Sequence, residues 1–421
     1  MAAATFLIGA GQAMAQEQKS DNDQQSRLTI GGYGEAVASR MFYSDNYKRY
    51  TNADLYRDDD GHGRFDLPHV VIYLGYDFGH GWTMGTEIEF EHGGAESAVE
   101  IEEEETGEYE TEVERGGEVA LEQFWLQKSW SKSLNLRMGH IVVPVGATNQ
   151  HHLPNEFFTV YRPEGESSIL PCTWHQTGIS LWGRVQDWRY EMQFLPGLEA
   201  DMFGAKDWVK GGASSPYEFD IANSYAGVVR IDNYSVPGLR IGVSGYYGRS
   251  ASNSLKAYKY RDAGADGNVL IGAIDFHYEA KGWVARGSVD YGHLSDSEKI
   301  TRQNKTLGNN SVSPQTSVAS DAMAVGVEVG YDVLRFNAKA HESGRQLHIF
   351  GRYDYYDSMF KTEGSVVDNP CWGRQKLTVG LNYRPISDII IKGEYSYRML
   401  KSQFNDEPTL SLGICYSGFF K

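Results

Sequence analysis

From Lys376 to Met399 apolar and polar side chains alternate with a period of two. In the first arm Leu377, Val379, Leu381 and Tyr383 share one face, and Lys376, Thr378, Asn382 and Arg384 share the other. After Pro385-Ile386-Ser387-Asp388, a second arm sets Ile391, Tyr395, Tyr397 and Met399 against Lys392, Glu394, Ser396 and Arg398. Side chains two apart lie on one face of a strand, so this stretch is a hairpin with one apolar and one charged side. The same alternation predicts about sixteen strands, at 27–37, 64–78, 81–91, 118–130, 133–142, 176–185, 187–195, 219–231, 237–249, 268–279, 281–293, 320–333, 344–357, 373–386, 388–400 and 407–420. Strands of roughly ten residues are long enough to cross a bilayer at a tilt.

The connections separate into two kinds. Gly79-His80, Ser131-Lys132, Gln186, a link near Lys281 and Ser387 close tight turns, and 232–236 is slightly longer. Between them stand long polar segments at 38–63, 92–117, 143–175, 196–218, 250–267, 294–319 and 358–372. Two connections break the rhythm, 334–343 being long and 401–406 short. Membrane barrels segregate loop length in this way, and soluble sandwiches have no reason to. The predicted fold class is therefore all-β, a transmembrane antiparallel β-barrel of about 16 strands with short periplasmic turns and long extracellular loops.

The two faces agree with that reading. Ile72, Leu74, Tyr76, Leu134, Leu136, Met138, Val325, Val327, Val329, Tyr331, Leu347, Ile349, Tyr353, Tyr355, Leu410, Leu412, Ile414, Tyr416 and Phe420 are expected to face lipid. Pore-lining positions are expected at Arg137, Arg184, Arg240, Arg286, Arg352, Arg384, Arg398, Lys392, Glu87, Glu89, Asp275, Asp290, Asp354 and Glu394, joined by Asn135, His277, Glu328 and His348. So many ionisable groups cannot pack a dry core and are expected to line water. About sixteen strands enclose an aqueous channel.

Composition changes the picture at three points. The 421 residues are 41% hydrophobic and 13% aromatic with 47 Gly, and the mean hydropathy is −0.47. No apolar run approaches the roughly 18 residues of a spanning helix, whereas half-polar barrel strands leave only a weak hydropathy signal. An apolar start ending in Ala13-Met14-Ala15 reads as a signal peptide over 1–15, without the usual basic residues before it, followed by a periplasmic segment 16–26 and one barrel domain 27–421. The net charge of −17 is concentrated in part in a glutamate-rich loop from Glu96 to Glu118, read as solvated and mobile, and nothing favours nucleic acid. Of the three cysteines, Cys172 and Cys371 fall in outer loops and leave one bridge open, while Cys415 sits mid-strand and is expected free.

Met138-Gly-His-Ile-Val-Val-Pro-Val-Gly146, Asn149-Gln-His151-His152-Leu-Pro154, Phe157-Phe158, Arg162-Pro163, Ile169-Leu-Pro171 and Trp174-His-Gln-Thr-Gly178 resemble Bacteroidetes-type porins related to the phosphate-selective porin O/P family. The terminal Tyr416-Ser-Gly-Phe-Phe420 resembles the aromatic end of such barrels, except that Lys421 follows. The resemblance spans Arg27 to Lys421 and implies an outer-membrane channel, often a trimer, passing small anions or nutrients. Phosphate channels of that family carry ladders of lumenal arginines. Here Glu87, Glu89, Asp275, Asp290, Glu328, Asp354 and Glu394 are interleaved with the arginines and weaken each other's field.

The segment Pro144–His175 mixes proline, aromatics and charge, and is expected to fold inward as a constriction loop carrying His151, His152, Asn155, Glu156, Arg162, Glu164, Trp174 and His175. His151-His152 with Glu156 and His175 has no diagnostic metal spacing, and Asp58-Asp59-Asp60-Gly61 lacks a closing acid. Glu87, Glu89 and Glu91 share a lumenal face that suits either a cation or basic neighbours; no metal site and no cofactor is expected. No Gly-x-Ser-x-Gly elbow or His-Glu-x-x-His is present, so no enzyme is expected. Gly32, Gly34 and Ala36 on an outward face suggest a homotrimer contact. The expected partners are outer-membrane lipids and small hydrophilic solutes or ions, with a surface-exposed binding barrel and plugged lumen as the alternative.

Overall fold

The computed structural model describes residues 27–97, 100–103, 109–112, 115–213, 220–308 and 311–420. The predicted signal peptide 1–15 and the segment 16–26 lie outside them, as do the side chains of 94–118, His341 and Phe420. The strands are β1 (Leu28–Met41), β2 (His62–Asp66), β3 (His69–Gly79), β4 (Trp82–Ser97), β5 (Glu100–Glu103), β6 (Tyr109–Glu112), β7 (Arg115–Ser131), β8 (Leu134–Val142), β9 (His175–Val185) and β10 (Trp188–Pro196). They continue as β11 (Tyr225–Val236), β12 (Leu239–Arg249), β13 (Asn268–Ala280), β14 (Trp283–Leu294), β15 (Asp321–Asp332), β16 (Gln346–Lys361), β17 (Gly373–Ile386), β18 (Ile389–Met399) and β19 (Glu407–Phe420).

All but β5 and β6 belong to one antiparallel sheet in which each strand pairs with its neighbours in sequence. β1 closes the cylinder by pairing with β19, Ile30 opposite Phe420 and Met41 opposite Thr409. β2 and β3 occupy successive stretches along β1, so the wall is a closed sixteen-stave barrel. The single strand predicted over 64–78 is thus broken at Leu67-Pro68, where proline has no amide to give the ladder. No described helix is long and apolar enough to cross a membrane.

The short turns hold strong local signals. His80-Gly81 and Lys281-Gly282 both have positive φ at their two central residues, the geometry that matches strand twist in tight hairpins. Trp82, Trp130, Trp188 and Trp283 stand exposed on the wall at this end, forming an aromatic girdle. The long connection 334–343 is a 3-10 turn over Val333–Phe336 followed by a helical turn over Ala338–Glu342.

Three sequence expectations are corrected on the long-loop side. β4 and β7 extend beyond the predicted 81–91 and 118–130, and β5 pairs with β6, so the glutamate-rich connection carries a hairpin in its described backbone. His175 is the first residue of β9, paired with Val142, and not part of a loop. The connections 196–218, 250–267, 294–319 and 358–372 are more than polar excursions. Leu198, Phe203, Trp208, Val209, Tyr260, Ile300, Val318 and Val366 from them join Trp174, Tyr246, Ile271 and Tyr356 in one buried apolar core. This core lies against the inner face of β10–β16 and fills that side of the barrel near its long-loop end.

Candidate functional site

The inner and outer faces separate as the alternation requires. Ile72, Met138, Val327, Ile349 and Leu412 are exposed on the outside. Every predicted pore-lining residue stands on the opposite face, but most are covered. Arg137, Asp275, Asp290, Asp354 and Lys392 are each no more than 4% exposed, so they meet protein groups more than open water.

Their partners explain the burial. Arg240 reaches Asp232 at 3.1 Å and Asp275 at 2.5 Å, Arg286 meets Glu328 at 2.6 Å, and Arg352 meets Asp354 at 2.6 Å. Arg137 is held by Gln127 and stacks on Trp125, and Arg184 lies over Tyr234. Glu87 accepts from Gln123 and Glu89 lies beside His69. Asp290, fully buried, has no hydrogen-bond partner for either carboxylate oxygen. A buried charge is tolerated only when paired and hydrogen-bonded, and most of this wall meets that condition.

Four further charged groups belong to the same wall. Arg230, fully buried, bridges Asp232 at 2.8 Å and Asp275 at 3.0 Å, and Arg189 pairs with Glu191 and with Asp232. Arg189/Glu191 and Arg230/Asp232 each stand two apart on a strand, so the spacing that marked Lys392/Glu394 carried the signal here as well.

Residues 143–174, between β8 and β9, are held by side chains of this wall. On one side the Arg230 guanidinium donates to Gly146 O at 2.9 Å, and Gly146 N donates to Ser244 Oγ at 3.0 Å. Across the barrel Arg384 donates to Asn155 O at 2.7 Å, and Lys392 Nζ to Thr159 O at 2.8 Å and Phe157 O at 3.1 Å. Val160 N donates to Glu394 at 2.7 Å and Phe158 N to Glu328 at 3.2 Å. A short helix, α1 (Glu164–Ser167), carries Glu164, which accepts from Lys376 Nζ at 2.7 Å, Arg398 Nε at 2.9 Å and Tyr356 Oη at 2.8 Å. Side chains of the wall thus satisfy backbone groups that the irregular segment cannot pair within itself.

The predicted loop residues take separate places along the wall. His151 lies 3.1 Å from Glu156 and near the His277 ring. His152 is edge-on to Tyr33, and Arg162 donates to Tyr33 and Thr173. Trp174 is fully buried against Tyr246. Cys172, Cys371 and Cys415 are all free thiols, so the bridge left open between the first two is not formed.

Between the segment and the wall a small cleft remains. His151, Glu156 and Glu166 border it from the segment; Arg240, Arg286 and Arg352 border it from β12, β14 and β16. Its volume of about 40 Å³ leaves room for a few waters. Burial pushes the Glu166 carboxyl up to about 7, against the Thr148 hydrogen bonds and with the Asp275 charge adding to the rise. Burial acts upward on Glu164 too, but Arg398 and Lys376 outweigh it and hold that carboxyl well below the usual range. The cleft therefore sets a fixed row of guanidinium groups against a segment whose negative charge varies near neutral pH.

No family model matches the chain. It is 27% identical over 379 residues to a protein of Aquifex aeolicus (strain VF5) named only as uncharacterized, covering 87% of this chain and 75% of that one. Among solved structures it resembles Salmonella typhi OmpF in complex with daunomycin (TM-score 0.53, 13% identity, 93% of this chain and 97% of the other). It also resembles an anion-selective porin from Comamonas acidovorans (0.51, 9%, 94% and 100%) and the outer membrane channel DcaP of Acinetobacter baumannii (0.51, 10%, 93% and 97%). Identities this low speak for architecture alone. The chain has the closed sixteen-stave barrel fold of outer-membrane porins.

Proposed function

We propose that this protein is an outer-membrane channel, exported by its N-terminal signal peptide, that passes small ions or small hydrophilic solutes by passive diffusion. The observation that carries the reading is the cleft between residues 143–174 and the wall, where Arg240, Arg286 and Arg352 face His151, Glu156 and Glu166. A row of cations beside a narrow aqueous path favours anions, and the likeness of 138–178 to phosphate-selective porins of the O/P type points the same way. Paired carboxylates at Asp275, Glu328 and Asp354 weaken that field, so the preference is modest. The inward segment acts as the constriction, and the loop core beside it makes the path narrower than in a wide general porin. No catalytic role is proposed.

The alternative, a surface barrel with a plugged lumen that binds a partner through its outer loops, is favoured by that same apolar core of Trp174, Phe203, Trp208 and Tyr260. Planar-bilayer recording of the purified protein separates the two. The channel reading expects steady unitary steps and, in a chloride gradient, a reversal potential on the anion side. Complete silence at protein densities that give an OmpF-like control its steps would favour the plugged barrel.

A further inference from the structure

A second cluster stands on the β1–β3–β4–β7 wall, away from the arginine row. His69 opens β3 and faces Glu91 in the β4 register, with Glu89 two residues earlier on the same inner face. His69 Nδ1 lies 2.6 Å from Glu89 Oε1 and 3.7 Å from Glu91 Oε1. Together the three offer ligand atoms that all lie within 4.8 Å of one another. Tetrahedral zinc ligands at 2.0–2.2 Å stand about 3.4 Å apart, so small side-chain rotations would bring these atoms around one ion.

The carboxylates around it outnumber the lysine and arginine side chains beside them. β7 carries a bulge that leaves Glu122 without a partner residue in β4, between the Glu87–Gln123 and Ile88–Leu121 pairs. A bulge re-aims side chains, and here Glu122 and Gln123 are both buried. Glu122 comes within hydrogen-bonding range of Glu89. Glu87, Glu89 and Glu122 are each no more than 6% exposed. Among the described residues Arg162, 4.0 Å from Glu89, is the one lysine or arginine within ion-pair distance of Glu87, Glu89 or Glu122. Two carboxylates this close repel each other unless a cation stands between them. At the same place Glu122 Oε2 and both ring nitrogens of His152, a residue only 8% exposed, are buried without a hydrogen-bond partner, and His175 Nε2 stands 3.6 Å from Glu122 Oε1. Tyr33 faces the cluster from β1 and Glu35 lies near Arg162 and Asp66, while the exposed His92 and the covered Asp66 pair at its outer rim.

We propose that His69, Glu89 and Glu91 bind a divalent transition-metal cation of the zinc class, with Glu122 as the adjoining carboxylate. An imidazole nitrogen with carboxylate oxygens suits zinc and its neighbours and disfavours calcium and magnesium, which take oxygen ligands. Glu91 is a third exposed, which leaves a path for the ion to enter. Arg162 stays on its tyrosine and threonine partners and balances the remaining charge.

Isothermal titration of zinc into chelator-stripped, detergent-solubilised full-length protein tests this. One site per chain is expected, saturating before the scattered surface carboxylates, with calcium failing to compete. His69→Ala weakens that site by about 100-fold or more, the scale on which even supporting groups matter. Glu91→Gln, at a position open to solvent and safer for folding, weakens it at least tenfold while heat-modifiable migration on gels stays unchanged. Binding of equal strength in the parent and both variants, or none in the parent, overturns the proposal. Conductance does not enter the readout, so failure here leaves the channel reading standing.

Discussion

Replacing Glu164 by Gln removes the charge that ties the inward segment to the far wall. Its carboxylate takes hydrogen bonds from Lys376, Arg398 and Tyr356. Arg398 keeps Glu407 as a partner, whereas Lys376 has no other carboxylate within ion-pair distance among the described residues. Breaking a buried pair costs about 3–5 kcal/mol and an exposed one about 0–1. With side-chain exposures of 26% for Glu164, 15% for Lys376 and 20% for Arg398, the expected loss is about 2 kcal/mol. That shifts the balance between docked and released segment about thirtyfold toward release. In single-channel records the variant should show larger or noisier open levels, and its urea midpoint should fall. A double-mutant cycle with Lys376→Met isolates the pair. The sign with pH follows from the depressed carboxyl: the anchor is fully present above the ordinary glutamate range and is lost as pH falls through the folded value. The difference between parent and variant should therefore close in strong acid. Unchanged open levels together with a coupling energy indistinguishable from zero would refute the reasoning.

Glu166→Gln should flatten a pH response. The carboxyl raised to about 7 is neutral below that value and charged above it, so parent anion preference falls between pH 6 and 8 and the variant's does not, read by reversal potential. The same raised value means that Glu166 favours folding fully below the ordinary glutamate pKa and loses that contribution as pH climbs through about 7. Gly146→Ala meets both a φ of +81° and a Cβ position that runs into the Glu166 carboxylate, and should cost at least about 1–2 kcal/mol, visible in the urea midpoint. Trp208→Ala removes a fully buried ring whose Nε1 donates to Ala319 O at 3.1 Å. A loss of about 3–5 kcal/mol is expected, with higher conductance if the loop core narrows the path.

Much of the barrel is legible along the chain because its cause is local. A period of two sets the face of Leu377 against that of Thr378 whatever the rest of the fold does, and lipid admits only a closed sheet whose backbone bonds are all paired. Tight turns such as Lys281-Gly282 are fixed by two residues. The strand break at Leu67-Pro68 was also available from Pro68, and the spacing of Arg230 and Asp232 was as plain as that of Lys392 and Glu394.

Partners were not legible. Lys392 meets Phe157 O and Thr159 O across more than 230 residues of sequence, and Glu164 meets Arg398 across 234. Those distances exist only after β1 has closed on β19 and the segment 143–174 has met the wall. Alternation fixed that the charges face inward; closure decided that most are paired and covered, because a charge's neighbours depend on strand register and loop path. Likewise Trp208, Phe203 and Tyr260 read as isolated aromatics in polar loops, and only packing made them one core. Local alternation assigns each residue its side of the wall, and the closed fold chooses what that residue touches there.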